Sequence, residues 1–413
     1  MTSQSDRLHQ SLELLEERGL DSPAVLQQLM TFRVAVPSWA LGAGGTRFGR
    51  FTIGGEPRNL QEKLDDVAAI NRMTGANRAV SLHVPWDLPD DPGGFREYAA
   101  HLGLGFDAMN SNTFQDHPDT TRQGAISYKF GSLAHTDATV REAAIEHNLS
   151  VIELGRLLGS TALVLWLADG TNYPGQASLR GQFERVASGL HEIHRHLPAD
   201  WRLLIEHKPF EPAYFASVNN DWGSSLLLAQ AAGDRALCLV DLGHHLPNAN
   251  VQQVVSRLAM TGRLGGFHFN DAAYGDDDLT AGSIQPYRLF LVMLELLEIG
   301  DGRMPGLSYM LDQSNNLKDP IEDLIQSTDA LQVALAQALC VDRVQLAASQ
   351  QANDPARSAE LLNDGFRMDV RPLVAEARVR NGGAERPLET FRASGYRKHC
   401  IEERGAAARS TGL

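Results

Sequence analysis

The residues of this chain best suited to chemistry come in four short runs. They are Glu206-His207-Lys208, Asp241 with His244, His268 followed by Asp276-Asp277-Asp278, and Asp312 with Ser314. Carboxylates and imidazoles with no thiolate among them form an oxygen-rich donor set. Such a set suits Mn²⁺, Mg²⁺ or Co²⁺ better than thiolate-seeking metals. The stretch Gly265–Leu279 poses the question in small: an apolar run delivers one histidine and then three consecutive aspartates. Taken alone it is equally consistent with a cation site and with a solvated acidic loop after an ordinary strand. Each residue also has a plain structural reading. A strand-end Asp often caps the next helix, a lone His is often a core residue, and Lys208 could simply pair with Glu206.

The elements that must position these residues alternate. Strand-like runs are expected at Val34–Ala40, Ala79–Trp86, Asp107–Phe114, Ala162–Ala168, Arg202–Phe210, Leu237–His244, Gly265–Asp271 and Leu307–Ser314. Helical patterns lie between them at Asn59–Thr74, Ala138–Leu158, Gln182–His196, Ser224–Ala232, Val251–Thr261 and Pro286–Leu297, and another starts at Asp319-Pro320. Strands alternating with helices imply a parallel sheet with right-handed crossovers. Eight units in about 310 residues point to a closed (β/α)₈ (TIM) barrel, with an open doubly wound sheet as runner-up. Residues 1–33 read as an N-terminal helical segment, 34–350 as the barrel, and 351–413 as a C-terminal helical extension with looser chain, packed outside the barrel and expected at a subunit interface.

A barrel does its chemistry at the carboxyl ends of its strands, where alternate side chains point inward. By that rule Glu206 and Lys208 share a face while His207 points away. Asp312 and Ser314 share another, and Asp241, His268, His83 and Trp166 each sit between apolar neighbours that face the helices. Converging buried carboxylates need a cation or other partners, because an unpaired buried charge is costly. His244 could join Asp276 and Asp278 around a second ion, since an extended loop would present that i, i+2 pair to one side and leave Asp277 outward. Seven candidates at four successive strand ends favour metal binding over seven separate structural roles.

Composition excludes several alternatives. Fifty-one acidic against 37 basic residues give a net charge of −14, which disfavours nucleic acid and anionic lipid as partners. Three scattered cysteines without C-x-x-C spacing argue for a reducing compartment. The amino-terminal residues lack signal-peptide character, and no run approaches the roughly 18 apolar residues of a membrane span, so the expectation is a cytoplasmic protein. The glycine-rich loop Gly42–Phe51 fits neither G-x-G-x-x-G nor a P-loop, having Arg50 and Phe51 where lysine and Ser/Thr belong. His191–His196 has Arg195 where a zincin needs histidine.

The runs Trp201–Pro212, Val240–His245, Gly266–Asp271 with Tyr274–Leu279, and Tyr309–Ser314 resemble L-rhamnose isomerase, most closely its bacterial subtype with broad aldose specificity. The likeness spans the first through the eighth strand. It implies a (β/α)₈ barrel with extra terminal helices, assembled as a homotetramer, that uses two divalent ions. Mn²⁺ is foremost, and Co²⁺, Mg²⁺ or Zn²⁺ are compatible. Carried over residue by residue, Glu206, Asp241, His268 and Asp312 would hold a structural ion, and His244, Asp276 and Asp278 a catalytic one, with Asp241 bridging. Lys208, His83, Trp39, Trp166 and Ser314 match sugar-contacting positions, Phe114 would help exclude water, and Phe48 matches a lid residue reaching a neighbouring subunit. One departure is Asn315, where the family pattern has histidine. The implied reaction interconverts L-rhamnose and L-rhamnulose by a hydride shift between carbon 2 and carbon 1 after ring opening, for which Asp312 or His83 would move protons and Lys208 would donate to the developing charge. Sugars such as L-mannose, L-lyxose and D-allose are alternatives. A phosphodiesterase-type metal barrel is disfavoured by the net charge, and a non-catalytic sugar-binding barrel by Lys208 beside a second ligand set.

Overall fold

A computed structural model describes residues 4–42, 51–116, 126–210, 214–314 and 317–406. Phe48 and Asn315 lie outside them. Eight parallel strands form the barrel: β1 (Val36–Pro37), β2 (Ala79–Ser81, continued by His83–Val84), β3 (Gly105–Phe106, continued by Met109–Ser111), β4 (Ala162–Trp166), β5 (Arg202–Glu206), β6 (Ala236–Asp241), β7 (Leu264–Phe269) and β8 (Ser308–Leu311). Each strand pairs with the next in the chain. The ring closes where Ala35 N–H donates to Tyr309 O at 2.8 Å and Leu311 N–H to Ala35 O at 3.0 Å. The closed barrel expected from the alternation is therefore the fold.

β6 and β7 are buried along their whole length, apart from half-buried Leu237. Barrel strands covered by helices read as apolar runs for this reason. In β7, Gly265 and Gly266 have a further role. A Cβ on Gly265 would stand 2.6 Å from Leu204 and from Leu237, and one on Gly266 would stand 2.9 Å from the Ser308 carbonyl. The close approach of β7 to its neighbours therefore needs glycine there.

Helix boundaries follow caps. Asp137 accepts from Thr139 N–H at 2.9 Å to open the helix Ala138–Leu158, whose end is turned by Gly159 at φ +89°. Asn250 opens Val251–Met260 in the same way. Two differences from the sequence expectation have local causes. The first strand is short because Pro37 has no N–H for the ladder, and the chain passes into a 3₁₀ turn over Ser38–Leu41. A helix at Pro92–His101, opened by Asp91 with Pro at its first position, fills the second crossover, where none was expected.

Outside the barrel, the amino-terminal helices Gln4–Glu17 and Ser22–Thr31 pack with the tail. Gln4 donates to Pro372 O at 3.1 Å and Asn381 to Met30 O at 2.9 Å. The tail is helical for most of its length, from Pro355 to Arg404. Arg392 binds Glu322, Arg397 binds Asp319 and Arg404 binds Asp66, which tie it to barrel helices. Among the described residues no single helix is long and apolar enough to cross a membrane.

Candidate active site

Strand register brings the predicted residues together at the carboxyl ends of β4 to β8. Trp166 lies beside Glu206, Asp241 beside His268, and Asp312 N–H donates to Phe269 O at 2.9 Å. Glu206, Asp241, His268 and Asp312 each offer a ligand atom, and these atoms lie within 4.8 Å of one another. His268 Nδ1 is 3.2 Å from Glu206 Oε1 and 3.2 Å from Asp312 Oδ2. Asp241 is fully buried, and its carboxylate accepts from Gly243 N–H at 2.7 Å and from Asn270 Nδ2 at 3.0 and 3.1 Å. Asn270, which holds this carboxylate in place, was not singled out from the sequence although it stands inside the motif that carries His268.

The electrostatics show how strongly the pocket favours positive charge. Burial would depress the two imidazoles, yet Glu206 and Asp312 around His268, and Asp241 and Asp276 around His244, hold both well above the usual histidine range. Burial pushes Asp241 up to about 6. Burial acts on Glu206 in the same direction, but His268 and His244 outweigh it and keep that carboxyl well below the ordinary range. Two buried carboxylates, a partly exposed third and an imidazole, with no thiolate, are a donor set that fits a hard divalent cation.

His244 links this tetrad to the loop beyond β7. Its Nδ1 is 3.1 Å from Glu206 Oε1, and its Nε2 is 3.2 Å from Asp276 Oδ1. Asp276 also faces the Lys208 ammonium, with which it forms a buried pair. The loop is not the extended segment that would present Asp276 and Asp278 to one side. Asp278 adopts φ +47°, its side chain is buried, and its carbonyl accepts from Ser314 N–H at 3.2 Å. Asp277 closes the turn, accepting from Ala273 N–H at 2.7 Å and Tyr274 N–H at 2.8 Å. Among the described residues the tetrad is the one set of three or more such side chains close enough to share an ion.

Aromatic side chains wall the other half of the pocket. His83 is ringed by Trp39, Trp86 and Phe114, with centroids at 5.3, 5.1 and 5.8 Å. Phe114 meets Trp166 at 4.2 Å, and Lys208 Nζ lies 4.5 Å above the Trp166 ring. Trp39 joins wall to tetrad by donating from Nε1 to Asp312 Oδ1 at 3.0 Å. Burial in this cage pushes His83 down to about 4, so its imidazole is neutral at ordinary pH, and its Nδ1 has no hydrogen-bond partner among the described residues. Beneath the wall, buried Asp87 accepts from Lys63 Nζ at 2.7 Å, from His83 N–H at 2.9 Å and from the Ser38 hydroxyl. Trp86, Asp87 and Lys63 were missed from the sequence. A charged residue directly after an aromatic at a strand end was the available signal. His207 points out of the lumen, as expected, and packs against His245 with centroids 4.8 Å apart.

The fold is an α/β barrel with a carboxylate–imidazole tetrad at its carboxyl end, and the chain's relatives place it among the sugar isomerases. The chain is 51% identical to a probable sugar isomerase of Rhizobium meliloti (strain 1021) over 396 residues, covering 95% of this chain and 91% of that one, and it belongs to that protein's family. It is 24% identical over 278 residues to the xylose isomerase of Thermus thermophilus, covering 61% of this chain and 68% of that one. No protein-family model matches it. Its barrel resembles the solved structure of an L-ribulose 3-epimerase, with a TM-score of 0.55 at 17% identity over 75% of this chain and 96% of that one.

Proposed function

We propose that the protein interconverts an aldose and a ketose, with L-rhamnose and L-rhamnulose as its pair. The observation that carries this reading is a largely buried carboxylate–imidazole tetrad beside Lys208 and a wall of aromatic rings. Family membership with a probable sugar isomerase supports it, and the rhamnose assignment rests on the motif resemblance. Glu206, Asp241, His268 and Asp312 would hold one divalent ion, Mn²⁺ foremost, and His244 with Asp276 and Asp278 a second. Bound there, such an ion supplies Lewis acidity to the sugar's carbonyl and neighbouring hydroxyl oxygens.

The chain's own groups do the rest. Trp39, Phe114 and Trp166 offer flat apolar faces to the carbon side of a sugar and exclude water. His83 is the better candidate for ring opening. It is neutral with an unpartnered Nδ1, whereas Asp312 is engaged by His268 and Trp39. Lys208, with its stem buried and Asp276 as counter-ion, is placed to donate toward charge developing on the sugar oxygen. Hydrogen then passes between carbon 2 and carbon 1 in a compartment with little water to exchange with. Ser314 completes the sugar contacts, and Phe48 would reach a neighbouring subunit of a homotetramer.

A sugar panel with and without Mn²⁺ after chelation tests the reading. Expected is metal-dependent ketose formation, fastest from L-rhamnose, with a carbon-2 deuterium retained in the product. Full activity in chelated protein would remove the mechanism, washout of label would remove the hydride shift, and a faster reaction with D-allose, L-mannose or L-lyxose would reassign the substrate. Light scattering in solution tests the tetramer.

A further inference from the structure

At the barrel's opposite end, where the strands begin, lies a cavity of about 730 Å³. It opens between the helix Ser22–Thr31, the segment leading into β1, the start of β2 and the turn before β8. Its volume falls within the range of small-molecule sites. Three arginines line it, Arg33, Arg78 and Arg303, and none of them forms an ion pair with a carboxylate among the described residues. In a chain with 51 acidic and 37 basic residues, three guanidiniums in one cavity without a carboxylate partner run against the overall balance. Asp107, which also lines the cavity, is turned to serines instead: it accepts from Ser308 Oγ at 3.0 Å and from Ser81 Oγ at 3.4 Å.

One arginine of the three is held in place, while Arg78 and Arg303 are exposed at the cavity's edge. Arg33 is half-buried, and its Nη1 donates to Met30 O and Phe32 O, both at 2.7 Å, which fixes the guanidinium plane and leaves its remaining N–H groups to point elsewhere. Burial, and behind it the like charge of Arg78, holds Arg33 below its usual range, as expected of two cations that share a cleft with no counter-ion. Beside them the rings of Phe32 and Tyr309, 6.1 Å apart, offer an apolar surface. Guanidinium forks match the geometry of phosphate and carboxylate oxygens. An uncharged aldose would leave all three charges unanswered, so this is not a second substrate pocket.

We propose that this cavity binds a small organic anion, a phosphate ester or a carboxylate, through Arg33, Arg78 and Arg303, with its carbon skeleton against Phe32 and Tyr309. Titration calorimetry and thermal melts of the full-length protein test it, with inorganic phosphate, a ketose 1-phosphate and citrate as probes and sodium chloride at matched ionic strength as control. Saturable binding and a raised Tm are expected with at least one probe and not with chloride. A ketose 1-phosphate stronger than citrate marks a phosphate-ester site, and the reverse order a carboxylate site. The double variant R78S/R303S changes two exposed side chains, so it should keep the ligand-free Tm while losing about tenfold in affinity, roughly one charge-assisted contact. Arg303→Lys, which keeps the charge but not the fork, should fall between. No saturable binding up to about 10 mM, or equal affinity in the double variant, overturns the proposal.

Discussion

At the scale of the residue, the two groups of acidic side chains differ in what else they support. Asp241 is buried at the centre of the tetrad and held by Gly243 and Asn270. Asp241→Asn should therefore lose bound metal, measured by elemental analysis, together with turnover and several degrees of Tm. Asp276 pairs with buried Lys208. Asp276→Asn should abolish turnover and also lower Tm, by less than Asp241→Asn, because Lys208 loses its facing carboxylate. An unchanged Tm would show that Lys208 does not depend on it. His83 makes a pH prediction. Its folded value of about 4 lies below the ordinary 6.5, so the unfolded chain binds the proton first and stability falls as pH drops from 6.5 toward 4. His83→Phe should flatten that slope by up to roughly 3 kcal/mol in urea unfolding compared at pH 7 and pH 4.5.

At the scale of the element, the loop after β7 is the part whose shape matters most. It is stapled at its root as well as along its length. Asp271 N–H and Leu279 N–H exchange bonds with each other's carbonyls, both at 2.9 Å, and the Asp271 carboxylate accepts from Ile284 N–H and Gln285 N–H at 2.8 Å. Farther along, Thr280 and Lys318 meet on Asp323. Asp271→Ala leaves the backbone pair with Leu279 but removes the carboxylate that holds Ile284 and Gln285, without touching the tetrad. Faster amide exchange across 272–285 and a fall in kcat, with tetrad metal content retained, are the expected outcomes. Loss of the tetrad ion as well would mean that the loop and β7 are held as one unit.

At the scale of the whole molecule, the barrel gathers four strand ends into one cluster of three carboxylates and an imidazole, a cost that a bound divalent ion offsets. Chelation should lower Tm, and Mn²⁺ should restore it in a saturable way, by about 2.7 kcal/mol at a hundredfold excess over Kd. Asp241→Asn should blunt that response. The terminal helices contribute differently. The tail closes over the barrel's outside through pairs such as Arg397–Asp319 and Arg404–Asp66, and the amino-terminal helix Ser22–Thr31 forms one wall of the arginine-lined cavity.

Much of this was legible in the chain. The alternation of apolar runs with helical patterns determined the barrel, because strands covered by helices must be apolar and parallel strands need crossovers. The strand ends determined which residues converge, because side-chain alternation and the carboxyl-end rule act locally. The helix Pro92–His101 carries little signal, because a ten-residue helix with two glycines shows weak periodicity. What tertiary structure decided are relations between distant segments. Asp276 meets Lys208 and His244, Trp39 hydrogen-bonds Asp312 from the far end of the chain, and Asp87 anchors the floor under His83 and Ser38. Spacing along a chain specifies which face a residue occupies. Which partner it meets across the lumen depends on the register and closure of eight strands, and that is settled only when the barrel packs.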